Sequence, residues 1–154
     1  MKKEIPLLSW LTWAALAFTW LLPLLHFSRL PAIIPTHFNA AGEVDGTGNR
    51  LTVFLLPVVG TFTLLLLGAV NRFPALRKKP FTLTPRLAEK LYSDGRFLQW
   101  IGLLCALLFA FIEWTVIVSA TTGEVPGYFW VIWIFTAALT LLPLIQVFRY
   151  RKNK

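Results

Sequence analysis

His37, Asn39, Glu43 and Asp45 fall within one polar stretch, PTHFNAAGEVDGTG, at residues 35–48. A histidine beside two carboxylates and an amide can bind a ligand, hold a metal ion or close a hydrogen-bonded loop. The spacing argues against a metal: the chain has no His-x-x-x-His pair and no cysteine cluster, so no metal site is expected. It also lacks a glycine-flanked serine elbow and an HExxH motif, which leaves nucleophilic and zinc-assisted hydrolysis without a vehicle. The chain is read as a non-enzyme that carries no cofactor. NAAG and VDGTG read as tight turns whose glycines take positive φ, and THFN alternates like a short strand. The expectation is a hairpin-like cap. It presents His37, Asn39, Gly42, Glu43 and Asp45 together, with Arg50 at its end, either as ligand-binding groups or as an internal network that keeps the cap folded.

Two further titratable residues lie in apolar surroundings, His26 and Glu113. Such groups are costly in a membrane and need a reason to be there. Gly102, Ala106, Ala110 and Glu113 share one helical face, a small-residue seam of the kind that lets helices approach closely. Thr12, Ala15, Thr19 and His26 share a face on the first apolar segment. Glu113 lies about 10 Å below the outer end of its helix, at 1.5 Å per residue. If the two seams meet, His26 hydrogen-bonds Glu113, and the pair serves either to join helices or to handle a ligand, proton or cation.

The elements that must position these residues are read from the apolar runs. The chain has 154 residues, 56% of them hydrophobic, with seven tryptophans. Four nearly uncharged stretches, at 8–27, 51–70, 97–120 and 128–148, each approach the ~20 residues that a helix needs to cross a bilayer. The runs are continuous, not alternating, so they read as helices and not barrel strands. The first run is longer than the core of a cleaved signal peptide and is expected to be retained. This describes an all-α integral membrane protein, one domain over 1–154, with four transmembrane helices. An ordered extracytoplasmic cap at 28–50 joins the first two. Pro23, Pro57 and Pro143 are each expected to kink a helix unless neighbours satisfy the freed carbonyl. Cys105 is the single cysteine and forms no intrachain disulfide.

The formal net charge of +8 suggests nucleic acid until the charges are placed. Thirteen of the fifteen basic residues fall at 2–3, 72–96 and 149–154, and only Arg29 and Arg50 lie elsewhere. That is the positive-inside pattern: both termini and the loop at 71–96 are expected in the cytoplasm, with the basic charge facing anionic lipid. No nucleic-acid motif accompanies it. Within the loop, Thr84-Pro85 is a good helix start, and Leu87 and Leu91 share a face, which suggests a short amphipathic helix on the inner surface.

The segment LPAIIPTHFNAAGEVDGTGNR resembles the signature of a bacterial membrane domain found at the N-terminus of SdpI-type toxin-immunity proteins. The resemblance rests on Leu30-Pro31, Ile34-Pro35, His37-Phe38-Asn39, Gly42, Asp45-Gly46 and the basic Arg50, and continues through Pro57, NRFP, LTP and EKLY. SdpI-type proteins protect a cell from a secreted peptide toxin and hold a repressor at the membrane. The resemblance therefore implies a multi-pass protein of the bacterial cytoplasmic membrane that binds, senses or confers immunity through its outer loop. Its partners would be the lipid bilayer, a peptide or membrane protein outside, and a cytoplasmic regulator. A small transporter or ion-handling subunit using His26 and Glu113, functioning as a homo-oligomer, is the second expectation, and a structural subunit of a larger complex the third.

The orientation is open to direct test. In a Cys105→Ser background, Ala41→Cys is expected to react with an impermeant maleimide added outside, and Lys79→Cys only after permeabilisation. The opposite pattern would invert the topology.

Overall fold

The computed structural model describes residues 6–73 and 95–152. Among them are four α-helices: α1 (Pro6–His26), α2 (Leu55–Arg72), α3 (Gly95–Thr122) and α4 (Val131–Lys152). A hairpin of β1 (Ile33–Phe38) and β2 (Val44–Asn49) stands between α1 and α2, flanked by 3₁₀ turns at Phe27–Arg29 and Arg50–Phe54. Three helical segments are long and apolar enough to cross a membrane: Leu7–Arg29, Arg50–Val70 and Phe97–Thr122. The apolar part of α4 is shorter, Val131–Gln146, about 24 Å at 1.5 Å per residue. The run expected from residue 128 begins instead with a turn, closed by Val131 N–H donating to the Tyr128 carbonyl at 3.0 Å. The amphipathic helix expected around Thr84–Leu91, with most of the basic loop, lies outside the described residues.

Large apolar side chains face outward on every helix, among them Leu25, Phe62, Leu107 and Phe148. Water would penalise such a surface, whereas lipid tails do not. Inside, α3 is the hub: it packs on α1, α2, α4 and β1. Its small-residue face is buried along its length, through Gly102, Ala106, Ala110 and Glu113. Ala106 meets Leu16 of α1 and Leu64 of α2 in one core cluster. A second cluster gathers Leu22, Leu30, Ile34, Val53, Val116 and Ile117 at the hairpin end. At Gly60 the α2 backbone comes so close to α3 that a Cβ would stand 3.3 Å from the Phe109 ring.

Most threonines in these surroundings are satisfied within their own helix. Thr12, Thr19, Thr61, Thr115 and Thr136 each donate a hydroxyl hydrogen to the carbonyl four residues earlier. The Trp20 indole N–H donates to the Thr61 hydroxyl at 3.0 Å, tying α1 to α2. Pro57 proves to be the third residue of α2, where a missing N–H costs no intrahelical bond, so no kink is required there. Pro23 and Pro143 lie inside α1 and α4.

The hairpin pairs Ile33 with Asn49, Ile34 with Gly48, Pro35 with Thr47, His37 with Gly46 and Phe38 with Val44. The register shifts on both sides of His37 leave Thr36 and Asp45 without a partner, so each strand carries one extra residue. VDGTG, expected as a turn, is therefore most of β2. Its glycines serve closeness, not positive φ: a Cβ on Gly46 would stand 2.9 Å from His37 Cβ, and one on Gly48 2.9 Å from Thr36 Cγ2. The turn proper is at Asn39–Glu43, where Gly42 takes φ +88° with Phe129 2.8 Å from the position of a Cβ.

Two glycines should thus respond in opposite directions. Gly42→Ala is expected to lower stability by about 1–3 kcal/mol, because φ is strained and the methyl meets Phe129. Gly68→Ala, on a helix with nothing within 4 Å of the new methyl, is expected to be neutral or to stabilise by up to ~1 kcal/mol. Thermal unfolding in detergent distinguishes the two.

Candidate functional site

The cap residues are gathered by the turn and spend their polarity on one another. Asn39 holds the turn with its whole amide. Its Oδ1 accepts from Ala41 N–H at 3.0 Å and Glu43 N–H at 2.9 Å, and its Nδ2 donates to Glu43 Oε2 at 2.8 Å. The main chain closes the same loop, Asn39 N–H donating to the Glu43 carbonyl and Gly42 N–H to the Asn39 carbonyl, both at 2.9 Å. His37 donates from Nδ1 to Asp45 Oδ1 at 2.5 Å, on the solvent side of the hairpin. Arg50 is not part of this group. Its guanidinium lies over the Phe27 ring, 4.9 Å from the centroid, while its N–H donates to the Ala32 carbonyl at 3.0 Å. Asn49 caps the following 3₁₀ turn by accepting from Leu51 N–H. His37, Asn39, Glu43 and Asp45 are thus brought together, as two pairs, while Gly42 supplies the bend. Among the described residues no three His, Cys, Asp or Glu side chains stand close enough to share a metal ion.

The hairpin is seated on the helices from its inner face. Ile34, 1% exposed, enters the core cluster at the hairpin end, and Phe38 packs on Phe129 with ring centroids 5.4 Å apart. Beside this seat lies a cavity of about 310 Å³. Residues 34–38 of β1 form one wall, and the start of α2, α3 and the entry to α4 form the others. Glu113 lines it from α3.

Glu113 is fully buried, and neither carboxyl oxygen has a hydrogen-bond partner. The expected bond from His26 is not made. The His26 Nδ1–H donates to the Leu22 carbonyl of its own helix at 2.9 Å, and the ring stands edge-on to Trp114 at 6.4 Å. The reason is rotational. Neighbouring residues on a helix point about 100° apart; Trp114 is what α1 presents His26 to, and Glu113 lines the cavity beside the hairpin. Trp114 then donates its indole N–H to the Tyr128 hydroxyl at 2.9 Å. The bond to Trp114 has no local signature, since the two residues lie on opposite sides of the α3–α4 turn.

This is the architecture of a multi-pass membrane protein whose first two helices are joined by a folded hairpin, with a polar residue buried beneath it. The chain belongs to the family of an uncharacterized protein from the archaeon Archaeoglobus fulgidus, to which it is 32% identical over 151 residues, covering 88% of this chain and 81% of the relative. Residues 14–61 match a domain of unknown function, DUF1648. The matched segment runs from α1 through the hairpin to Thr61, and so contains both ends of the Trp20–Thr61 hydrogen bond. No solved structure matches the chain. An archaeal relative means that the family is not confined to bacteria.

The unpartnered carboxyl gives a stability test. Glu113→Leu is expected to raise stability by about 1–3 kcal/mol, because it removes a buried polar group that makes no bond. A loss of stability in detergent unfolding would show that Glu113 has a structural partner after all.

Proposed function

We propose that the protein crosses the cytoplasmic membrane four times, with both termini inside, and that it binds or senses a partner at its outer face without catalysing a reaction. The observation that carries this reading is the cavity along β1. Five consecutive residues, Ile34 to Phe38, line it. Successive side chains of a strand point to opposite faces, so a cavity touched by all five runs along the strand's edge. The sheet has two strands, which leaves β1 with one edge unpaired by β2. An unpaired edge beside an apolar cavity suits an extended segment of a peptide or of another membrane protein, added as a further strand. The hairpin is fixed by the Asn39 turn and by Ile34, so this edge is preorganised. An immunity role of the SdpI type is the finer form of this reading. In it the α1–α3 contact would carry the bound state towards the basic cytoplasmic loop and a regulator there.

A second reading, an ion-handling subunit, draws on the buried Glu113. Without a bond to His26 it rests on Glu113 alone, and four helices would need an oligomer to form a path.

Leu55 lines the cavity and is 61% exposed, whereas Leu66 is an exposed position of α2 outside it. A photoreactive amino acid at Leu55 is expected to give an adduct of discrete mass in native membranes that the same group at Leu66 does not. Lipid adducts alone at both positions would remove the binding reading.

A further inference from the structure

The cavity beside the hairpin has a chemistry narrower than its size. At about 310 Å³ it lies at the lower end of the roughly 300–1,000 Å³ of small-ligand sites. Ile34, Val53, Ile112 and Ile132 make most of its wall apolar, and Phe38 and Phe129 add two aromatic rings. Within that wall stands one carboxyl, Glu113, with both oxygens buried and unpartnered. Among the described residues no lysine or arginine forms an ion pair with it. His37, which also lines the cavity, is already engaged by Asp45. The wall therefore holds one carboxyl with two free acceptor oxygens and no counter-charge of its own.

We infer that the cavity takes the ammonium end of an apolar amine, with Glu113 as its counter-charge. This rests on the outer-face binding reading above and names the chemistry of the ligand. An ammonium brings three hydrogen-bond donors and no acceptor, which matches a carboxylate with both oxygens free. Charge-assisted bonds of this kind are roughly twice as strong as neutral ones. The apolar body of the amine replaces water against the isoleucines and Val53. An ammonium favours the ionised form of the buried Glu113 carboxyl and an anion opposes it, while an alcohol would gain a single neutral bond. The carboxyl oxygens have no exposed surface in the empty site, so the ammonium reaches them only if the Glu113 side chain turns into the cavity. One carboxyl limits the ligand to a single positive charge.

The probe is cyclohexylammonium chloride, with cyclohexanol and cyclohexanecarboxylate as controls, and the readout is the unfolding temperature of the detergent-solubilised full chain. Cyclohexylammonium is expected to raise it saturably and the controls not. Glu113→Gln should weaken half-saturation by about tenfold or more. Ile132→Trp, which fills the cavity and keeps Glu113, should abolish the shift. Equal shifts in wild type and Glu113→Gln, equal shifts with amine and alcohol, or no saturable shift in the wild type would each overturn the inference. Should Glu113→Gln fail to fold, persistence of the shift in Ile132→Trp overturns it. A missing amine shift together with a discrete Leu55 adduct would remove only the ammonium, leaving outer-face binding in place. The absence of both would remove the two readings together.

Discussion

Close approach along one face of α3 is the constraint on which the remaining structure depends. Lipid tails are as apolar as leucine, so helices in a membrane gain little by hiding apolar surface from lipid. They gain by fitting backbone against backbone, which needs small side chains at the contact. Gly102, Ala106 and Ala110 on α3 provide them, and Ala106 is buried between Leu16 and Leu64. With α1 and α2 drawn in at that level, Leu22 of α1 and Val53 before α2 join Val116 and Ile117 of α3 in the cluster that receives Ile34. The hairpin is thus a plug whose seat is made by the helix packing beneath it.

Glu113 sits where these two regimes meet, three residues from Val116 and three from Ala110 on the same helix. A protein that needed this position only for packing would be better served by leucine, since an unpaired buried polar group costs stability. The membrane surroundings do not demand it, and neither of the apolar clusters uses it. What it does have is a cavity beside it, walled by the strand that the turn at Asn39 holds in place. Cap and carboxyl are linked through that wall and through no hydrogen bond of their own.

The helices were legible in the sequence because continuous apolar runs have one reading in lipid, and the buried face of α3 because its small residues recur at helical spacing. The cap residues were legible as a set, from the density of turn formers, but not as pairs. That Asn39 serves Ala41 and Glu43 while Asp45 serves His37 depends on where each strand's extra residue falls. β2 was hidden by its own composition: glycine and aspartate disfavour strands, and only the near contact with Thr36 and His37 explains the glycines. The His26–Glu113 bond failed for a different reason. Periodicity shows which residues share a face on one helix, but not how far that helix is turned relative to the next. A single residue step placed Trp114 against His26 and aimed Glu113 elsewhere. The Trp20–Thr61 bond escaped notice likewise, being long-range between two ordinary residues.

The hairpin also bears on the order in which the chain assembles. Its pairing is complete within residues 33–49, and contacts so local in sequence form early. The seat for Ile34, in contrast, includes Val116 and Ile117, which leave the ribosome later. For that interval the two-stranded ribbon between the first two helices has only the Leu22, Leu30 and Val53 side of the seat for Ile34. Arrival of α3 then docks a preformed part instead of folding a loose one. A late-arriving helix that both completes the core and brings the lone carboxyl makes its insertion the step at which the cavity beside the hairpin comes into existence.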